Sequence, residues 1–173
     1  MRIPLLAISL FAMSGFAHAD PDANASIFVK REYHDKDFIS GIGAEIRITD
    51  PHSHFGASLN TSIGPARVTD YDGYEQEYMA WEGGIKLGYF SKLFVYVEAG
   101  VDLGELTFDD RDEDHHHHDY YDDNHVDGYI GAGLGVNLGR LKFEGFSRYR
   151  QIDGENWDAP KQTYTGVQLS INF

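Results

Sequence analysis

The sequence contains no cysteine, so neither disulfide bonds nor thiolate metal sites contribute to the fold. A membrane-spanning helix needs about 20 apolar residues, and the run Leu5–Met13 is too short for one. Basic residues are scarce: 14 Lys and Arg against 28 Asp and Glu give a formal net charge of −14. These absences exclude a helical membrane protein and a disulfide-stapled domain. The charge argues against binding to nucleic acid and against simple attraction to anionic lipid.

Residues 1–19 are predicted to be a secretory signal peptide. Arg2 supplies the positive charge, Leu5–Met13 the apolar core, and Ala17-His18-Ala19 a cleavage site of the small-x-small type. No cysteine follows the apolar run, which excludes a lipoprotein anchor. The mature chain is therefore expected to comprise residues 20–173, enough for one domain.

Alternation of apolar and polar residues recurs along the rest of the chain. In the clearest segment Leu93, Val95 and Val97 alternate with aromatic and acidic residues. Successive side chains of a strand point to opposite faces, so this pattern predicts strands with one aliphatic face. Eight such segments are present: Ser26–Tyr33, Phe38–Thr49, Phe55–Ile63, Tyr78–Tyr89, Leu93–Gly104, Gly128–Leu138, Leu141–Arg150 and Tyr164–Phe173.

The predicted connections alternate in length. Asp50–His54, Phe90–Lys92 and Gly139-Arg140 are short, whereas Gly64–Glu77, Asp109–Asp127 and Gln151–Gln162 are long; the brief His34–Asp37 is the exception. Short periplasmic turns and longer extracellular loops are typical of outer-membrane barrels. The sequence thus predicts an all-β fold, an eight-stranded antiparallel transmembrane β-barrel. The alternative is a soluble lipocalin-like barrel, which would turn its aliphatic face inward around a ligand cavity.

The polar face of the predicted barrel carries charges of both signs, which can pair inside a narrow lumen. An eight-stranded barrel is just wide enough to be filled by side chains, so a packed polar lumen is expected. The predicted ion-pair network comprises Glu45, Arg47, Glu82, Lys86, Glu98, Glu144 and Arg148; Asp102, Lys142, Arg150 and the aromatic Phe94, Tyr96 and Phe146 share this face. Aromatic residues near the strand ends are expected at the membrane–water interface: Tyr33, Phe55, Tyr78, Trp81, Tyr89, Tyr149 and Phe173.

Together, the signal peptide, the eight alternating segments, the charged lumen and the terminal Phe173 resemble the small OmpA/OmpX-type outer-membrane barrels. The resemblance covers the whole mature chain but is architectural, since no local motif identifies a subfamily. It implies location in the bacterial outer membrane and contact with its lipid and lipopolysaccharide. It also implies that Phe173 is part of the signal read by the barrel-assembly machinery. Such barrels include adhesion proteins, surface-stabilising proteins and a few lipid-modifying enzymes, so the fold does not fix the function.

The segment Asp109–His125 is the one compositional anomaly, with five of the nine histidines and eight acidic residues. Imidazole suits Zn, Ni or Cu, and carboxylates suit Ca. Weak divalent-metal binding is therefore one prediction for this extracellular loop, and a solvated loop that keeps the outer face hydrophilic is the other. No cofactor is expected to be required. The candidate ligands are His115, His116, His117, His118, His125, Asp114 and Asp119.

The expected role is that of a structural or surface-interaction protein with a possible extracellular partner and no nucleic-acid ligand. A small channel or porin is the alternative, and a lipid-modifying outer-membrane enzyme is a weaker one. The sequence has no Gly-x-Ser-x-Gly or zincin motif. His52-Ser53-His54 falls in a predicted inner turn, away from the outer surface where a lipid-modifying barrel would act. The chain is therefore predicted not to be an enzyme.

Overall fold

The computed structural model describes residues 23–50, 52–104, 127–154 and 157–173. Eight antiparallel strands close into a barrel. The barrel strands are β1 (Ala23–His34), β2 (Asp37–Thr49), β3 (Phe55–Thr69), β4 (Glu75–Phe90), β5 (Leu93–Asp102), β6 (Gly128–Leu138), β7 (Leu141–Gln151) and β10 (Gln162–Asn172); the strands β8 (Asp153–Gly154) and β9 (Trp157–Asp158) form a two-stranded hairpin between β7 and β10 in sequence. The strand order around the barrel is β1-β10-β7-β6-β5-β4-β3-β2.

The first and last strands pair with each other and close the barrel. Their register runs from Ser26 opposite Asn172 to Tyr33 opposite Thr165. Beyond β10, the amide of Phe173 donates to the carbonyl of Ala25 at 2.9 Å. Closure leaves no strand of the barrel with an unpaired edge, so the prediction of an eight-stranded antiparallel barrel is confirmed.

The two faces of the strands divide as the alternation predicts. Val95 and Val97 are 57% and 60% exposed, whereas Phe94 and Tyr96 between them are buried. The same alternation of exposed and buried residues runs through β7 and β10. Along the middle of the strands the aliphatic side chains therefore face outward and most of the charged ones face inward. The inward aliphatic face that the lipocalin-like alternative predicted is wrong.

The connections also divide between the two ends of the barrel. The turns at residues 50–54, 91–92 and 139–140 lie at one end, named here the short-turn end. In the last of these turns Gly139 has φ +81°, a conformation that suits glycine. The connection at residues 70–74, the β8-β9 hairpin and the turn at Asp35 and Lys36 lie at the other end, named here the long-loop end, where β5 also ends and β6 begins. The described part of the chain contains no helix long and apolar enough to cross a membrane.

Several predicted boundaries were wrong at the long-loop end. Strand β3 continues past Ile63 to Thr69, so the connection predicted at Gly64–Glu77 shrinks to residues 70–74. Ala66 and Val68 are buried inside the barrel, and this burial favours continued pairing of β3 with β4. Strand β5 ends at Asp102, two residues before the predicted end.

Two further corrections concern aromatic residues and the last long connection. Tyr78 does not lie with the outward aromatic residues: it packs against the apolar cluster within the barrel, and its ring centroid is 5.9 Å from that of Trp157. The connection predicted at Gln151–Gln162 contains the β8-β9 hairpin. The other six aromatic residues predicted near the strand ends are exposed or half-buried: Tyr33, Phe55, Trp81, Tyr89, Tyr149 and Phe173.

Candidate functional site

The charged interior of the barrel contains two groups of ion pairs. The lower network, nearer the short-turn end, comprises Glu45, Arg47, Lys86, Lys142 and Glu144. The upper network, nearer the long-loop end, comprises Lys30, Glu32, Glu82, Glu98, Arg148 and Arg150. All eleven residues are buried.

In the lower network two lysines lie between two carboxylates. Lys86 Nζ is 2.9 Å from Glu45 Oε2 and 2.7 Å from Glu144 Oε2. Lys142 Nζ is 2.7 Å from Glu45 Oε1 and 2.8 Å from Glu144 Oε1. Each carboxylate oxygen thus contacts one ammonium group. This arrangement links β2, β4 and β7 across the lumen and offsets the desolvation of the four charges.

Polar and aromatic neighbours complete the lower network. Arg47 Nη2 donates to Glu45 Oε1 at 2.7 Å, and its guanidinium carbon lies 4.4 Å from the centroid of the Phe90 ring. The hydroxyl of Tyr96 donates to Glu144 Oε2 at 2.9 Å. Gln168 Nε2 donates to Glu144 Oε1 at 3.0 Å. Strands β5 and β10 therefore join the same network.

Arg148 is the centre of the upper network. Its Nε and Nη2 donate to the two oxygens of Glu98, both at 2.8 Å, and its Nη1 donates to Glu32 Oε1 at 2.6 Å. The guanidinium carbon lies 4.3 Å from the Tyr129 ring centroid and 4.4 Å from that of Phe146. Charge-assisted bidentate pairs of this kind are among the stronger hydrogen bonds in proteins.

Arg150 and Lys30 complete the upper network. Arg150 donates to both oxygens of Glu32 at 2.8 Å, and its Nη1 is 2.8 Å from Glu82 Oε1. Lys30 forms an ion pair with Glu82 and lies 3.3 Å from Glu32. Three basic and three acidic side chains thus balance in charge within this group.

Above the upper network, an apolar plug fills the long-loop end. Ile152 and Ala159 flank the β8-β9 hairpin and are 4% and 2% exposed, and the amide of Ala159 donates to the carbonyl of Ile152 at 3.0 Å. The amide of Tyr71 donates to the carbonyl of Asp158 at 3.1 Å and so ties the hairpin to the β3–β4 connection. The members of the plug are Ile39, Ala66, Val68, Ala80, Ile152, Ala159 and Tyr164, with Tyr78 and Trp157 packed against them.

The structure brings together all seven residues of the predicted lumen network. Glu45, Arg47, Lys86 and Glu144 lie in the lower network, and Glu82, Glu98 and Arg148 in the upper one. Asp102, predicted on the same face, accepts a hydrogen bond from the amide of Gly104 at 2.7 Å.

Sequence reasoning left the two inward charged residues of β1, Lys30 and Glu32, out of the predicted ion-pair network. Lys30 and Glu32 alternate with Val29 and Arg31, so the period-two pattern placed them on the inward face, but no local signal identified their partners. Apart from the contact between Lys30 and Glu32 themselves, the partners named in these hydrogen bonds lie 52 to 118 positions away in the sequence. The apolar plug was missed because its members come from four barrel strands and the hairpin.

The predicted metal ligands His115, His116, His117, His118, His125, Asp114 and Asp119 lie outside the described residues. Within residues 23–50, 52–104, 127–154 and 157–173, no three His, Cys, Asp or Glu side chains are grouped so as to hold a metal ion. His52 and Ser53 lie in the turn at the short-turn end, where the amide of His52 and the hydroxyl of Ser53 donate to the Asp50 carboxylate at 2.9 and 2.7 Å. No protein-family model matches the chain, and a search of curated proteins finds none that matches it.

Proposed function

We propose that this chain is a bacterial outer-membrane β-barrel protein that acts as a structural or surface-interaction protein. It would be exported by the signal peptide of residues 1–19 and inserted as a barrel resembling the OmpA/OmpX type. The observation that carries the proposal is the outward aliphatic wall, on which residues such as Leu93, Leu134 and Val167 are 72%, 68% and 64% exposed. Water disfavours so large an apolar surface, whereas lipid does not.

The closed hydrogen-bond network of the barrel supports the same proposal. Backbone amides and carbonyls have no water to pair with in a bilayer, so a spanning sheet must leave no open edge. The eight strands meet this requirement because β1 pairs with β10. The exposed Tyr33, Tyr149, Phe55 and Tyr89 lie near strand ends at both ends of the barrel, where aromatic rings favour the membrane–water interface.

The filled interior supports a structural role over a channel. The lower and upper networks cross the lumen with contacts of 2.6 to 2.9 Å between opposite charges, and the apolar plug lies above them. An ion would have to break several buried pairs to pass, and each broken pair costs several kcal/mol. The outer loops, which include the acidic histidine-rich segment, are then the parts available to a partner or to lipopolysaccharide.

Cell fractionation with heat-modifiable gel migration tests the location. The mature protein should be recovered in the outer membrane and should migrate differently before and after boiling, because the unboiled barrel stays closed. Recovery in the soluble periplasm without a shift in migration would overturn the proposal. Planar-bilayer recording then separates the structural role from the channel, since the filled lumen predicts no steady single-channel conductance.

A further inference from the structure

One basic residue on the outer wall has no acidic partner. Arg31 on β1 is exposed, and among the described residues no carboxylate forms an ion pair with it. Its guanidinium carbon lies 4.5 Å from the ring centroid of Phe38 and 5.0 Å from that of Tyr33. The nearby Arg67, which also contacts Phe38, is by contrast neutralised by Glu75 and Glu77. Arg31 therefore presents an uncompensated positive charge on a chain whose formal net charge is −14.

Arg31 lies at the border of the apolar wall. On β1 the outward residues towards the short-turn end are Ile27 and Val29, which are 47% and 52% exposed, and Tyr33 lies on the other side. Three residues beyond Arg31 the strand ends at His34, at the long-loop end. In a barrel inserted with its long loops outside, this height corresponds to the polar headgroups of the outer leaflet.

An apolar groove begins beside Arg31. Its volume is about 780 Å³, and its lining includes Val29, Arg31, Leu134, Phe143, Gly145 and Val167. Gly145 on β7 faces outward, and a Cβ atom built there would contact nothing within 4 Å. Gly145 pairs with Val167 on β10, and Val167 pairs with Arg31 on β1, so two strand spacings, about 10 Å, separate Gly145 from Arg31. The groove is thus a depression over Gly145 with a cation at one border.

We propose that this groove binds a phosphate-bearing lipid, with an acyl chain over Gly145 and the phosphate at the Arg31 guanidinium. The inference rests on the proposed membrane location, because only then does a lipid lie against this wall. The two parts of the site match the two parts of such a lipid: apolar side chains for the chain, and an unpaired guanidinium for the anion. Guanidinium binds phosphate through charge-assisted, bidentate hydrogen bonds. The net negative charge of the protein repels an anionic lipid. The electrostatic attraction for the phosphate therefore comes locally from Arg31.

Native mass spectrometry of the refolded barrel in detergent tests the proposal with three probes. Dipalmitoyl phosphatidic acid carries both parts, dipalmitoylglycerol carries the chains alone, and inorganic phosphate carries the anion alone. Wild-type protein should bind phosphatidic acid at least about tenfold more tightly than either other probe, since a charge-assisted hydrogen bond accounts for roughly that factor.

Three variants locate the site. Arg31→Gln should abolish the preference for phosphatidic acid over dipalmitoylglycerol. Gly145→Leu should weaken both lipids, and the open space at this position leaves room for the new side chain. Arg140→Gln is the matched control, because it removes the same charge from an exposed turn at the short-turn end and should change nothing. Unchanged lipid binding by Arg31→Gln or Gly145→Leu would overturn the proposal, as would equal binding of inorganic phosphate and phosphatidic acid.

Failure of this inference is distinguishable from failure of the proposed function. A barrel that fractionates with the outer membrane and shifts on heating, yet does not discriminate among the three probes, overturns the lipid site alone. A protein recovered from the soluble periplasm overturns both, because no bilayer then covers the groove.

Discussion

Arg148 on β7 and Glu98 on β5 face each other inside the barrel through two parallel hydrogen bonds of 2.8 Å, although β6 lies between their strands in the sheet. The pair is 1% and 0% exposed at the side chains. Both charges are therefore removed from water, and each depends on the other and on its neighbours in the upper network for compensation.

Replacing Arg148 with Ala should destabilise the barrel by about 3–5 kcal/mol, because Glu98 and one contact of Glu32 would lose their cation while they remain buried. Urea unfolding of the protein refolded into vesicles measures this as a lower midpoint. Arg140→Ala, in an exposed turn, serves as the control and should leave the midpoint in place. A midpoint for Arg148→Ala equal to that of wild type would contradict the structural role of the upper network.

Replacing Tyr96 with Phe should cost about 1.5–3 kcal/mol, because the Tyr96 hydroxyl donates to the buried carboxylate of Glu144 at 2.9 Å. The ring itself remains, so the packing against Phe94 and Lys86 is retained. Tyr149→Phe removes a hydroxyl from an exposed tyrosine of the same barrel and should have little effect. The same urea titration compares them, and equal midpoints for the two variants would argue against the hydrogen bond.

The β3–β4 connection should lose stability at low pH. Hydrogen bonds to the Asp70 carboxylate from the Gln76 side chain and from the amides of Tyr74 and Asp72 lower the pKa of Asp70 below its ordinary value of 3.8. A depressed folded-state pKa contributes stability that is present above the ordinary value and is lost as pH falls through the folded value. The protection factors of the amides in this connection, which are corrected for the intrinsic pH dependence of exchange, should therefore stay high above about pH 4 and fall below it. Asp70→Asn should remove this dependence, and its persistence in that variant would assign it to another group.

Deleting Phe173, or replacing it with Asp, should impair assembly in cells more than folding in vitro. The side chain is 75% exposed, and its backbone contributes one hydrogen bond beyond the last strand, from its amide to the Ala25 carbonyl. The pairing of β1 with β10 from Ser26 opposite Asn172 onward is independent of Phe173. Membrane yield in cells and refolding into vesicles should therefore respond differently, with Phe173→Tyr as the control. Normal membrane yield of the deletion variant would contradict an assembly role.

Metal binding by the histidine-rich segment remains a prediction that the described residues do not test. Replacing His115–His118 with Ser should reduce the affinity for Zn or Ni, measured by titration calorimetry on the refolded barrel. Neutral imidazole is the binding form and ordinary histidine titrates near pH 6.5, so binding should also weaken from about pH 7 to pH 5. Equal affinity in the two proteins would leave the solvated-loop interpretation.

Local pattern was sufficient to predict the closed barrel, the inward and outward faces, and seven of the eleven residues of the lumen networks. Period-two alternation determines which face a side chain takes, as Phe143 and Glu144 illustrate. It carries no information on which charges meet, because Glu32 and Arg150 come together only when strands far apart in sequence close the barrel. The extension of β3 to Thr69 was missed for a related reason: Val68, whose burial favours the longer strand, packs in a cluster with Ile152 and Ala159 beside the hairpin and with Tyr164 of β10.

The ion pairs between non-adjacent strands stabilise one register of the barrel strands over others. Sliding β1 by two residues along its neighbours would keep the outward aliphatic side chains of β1 outward. The exposed apolar surface therefore does not favour one register over the other. The same slide moves Glu32 by about 7 Å, well beyond hydrogen-bond distance of Arg148 and Arg150. The buried charges thus destabilise misaligned closures that the repeating apolar pattern alone would allow, and they select one register among several whose outward apolar surfaces are equivalent.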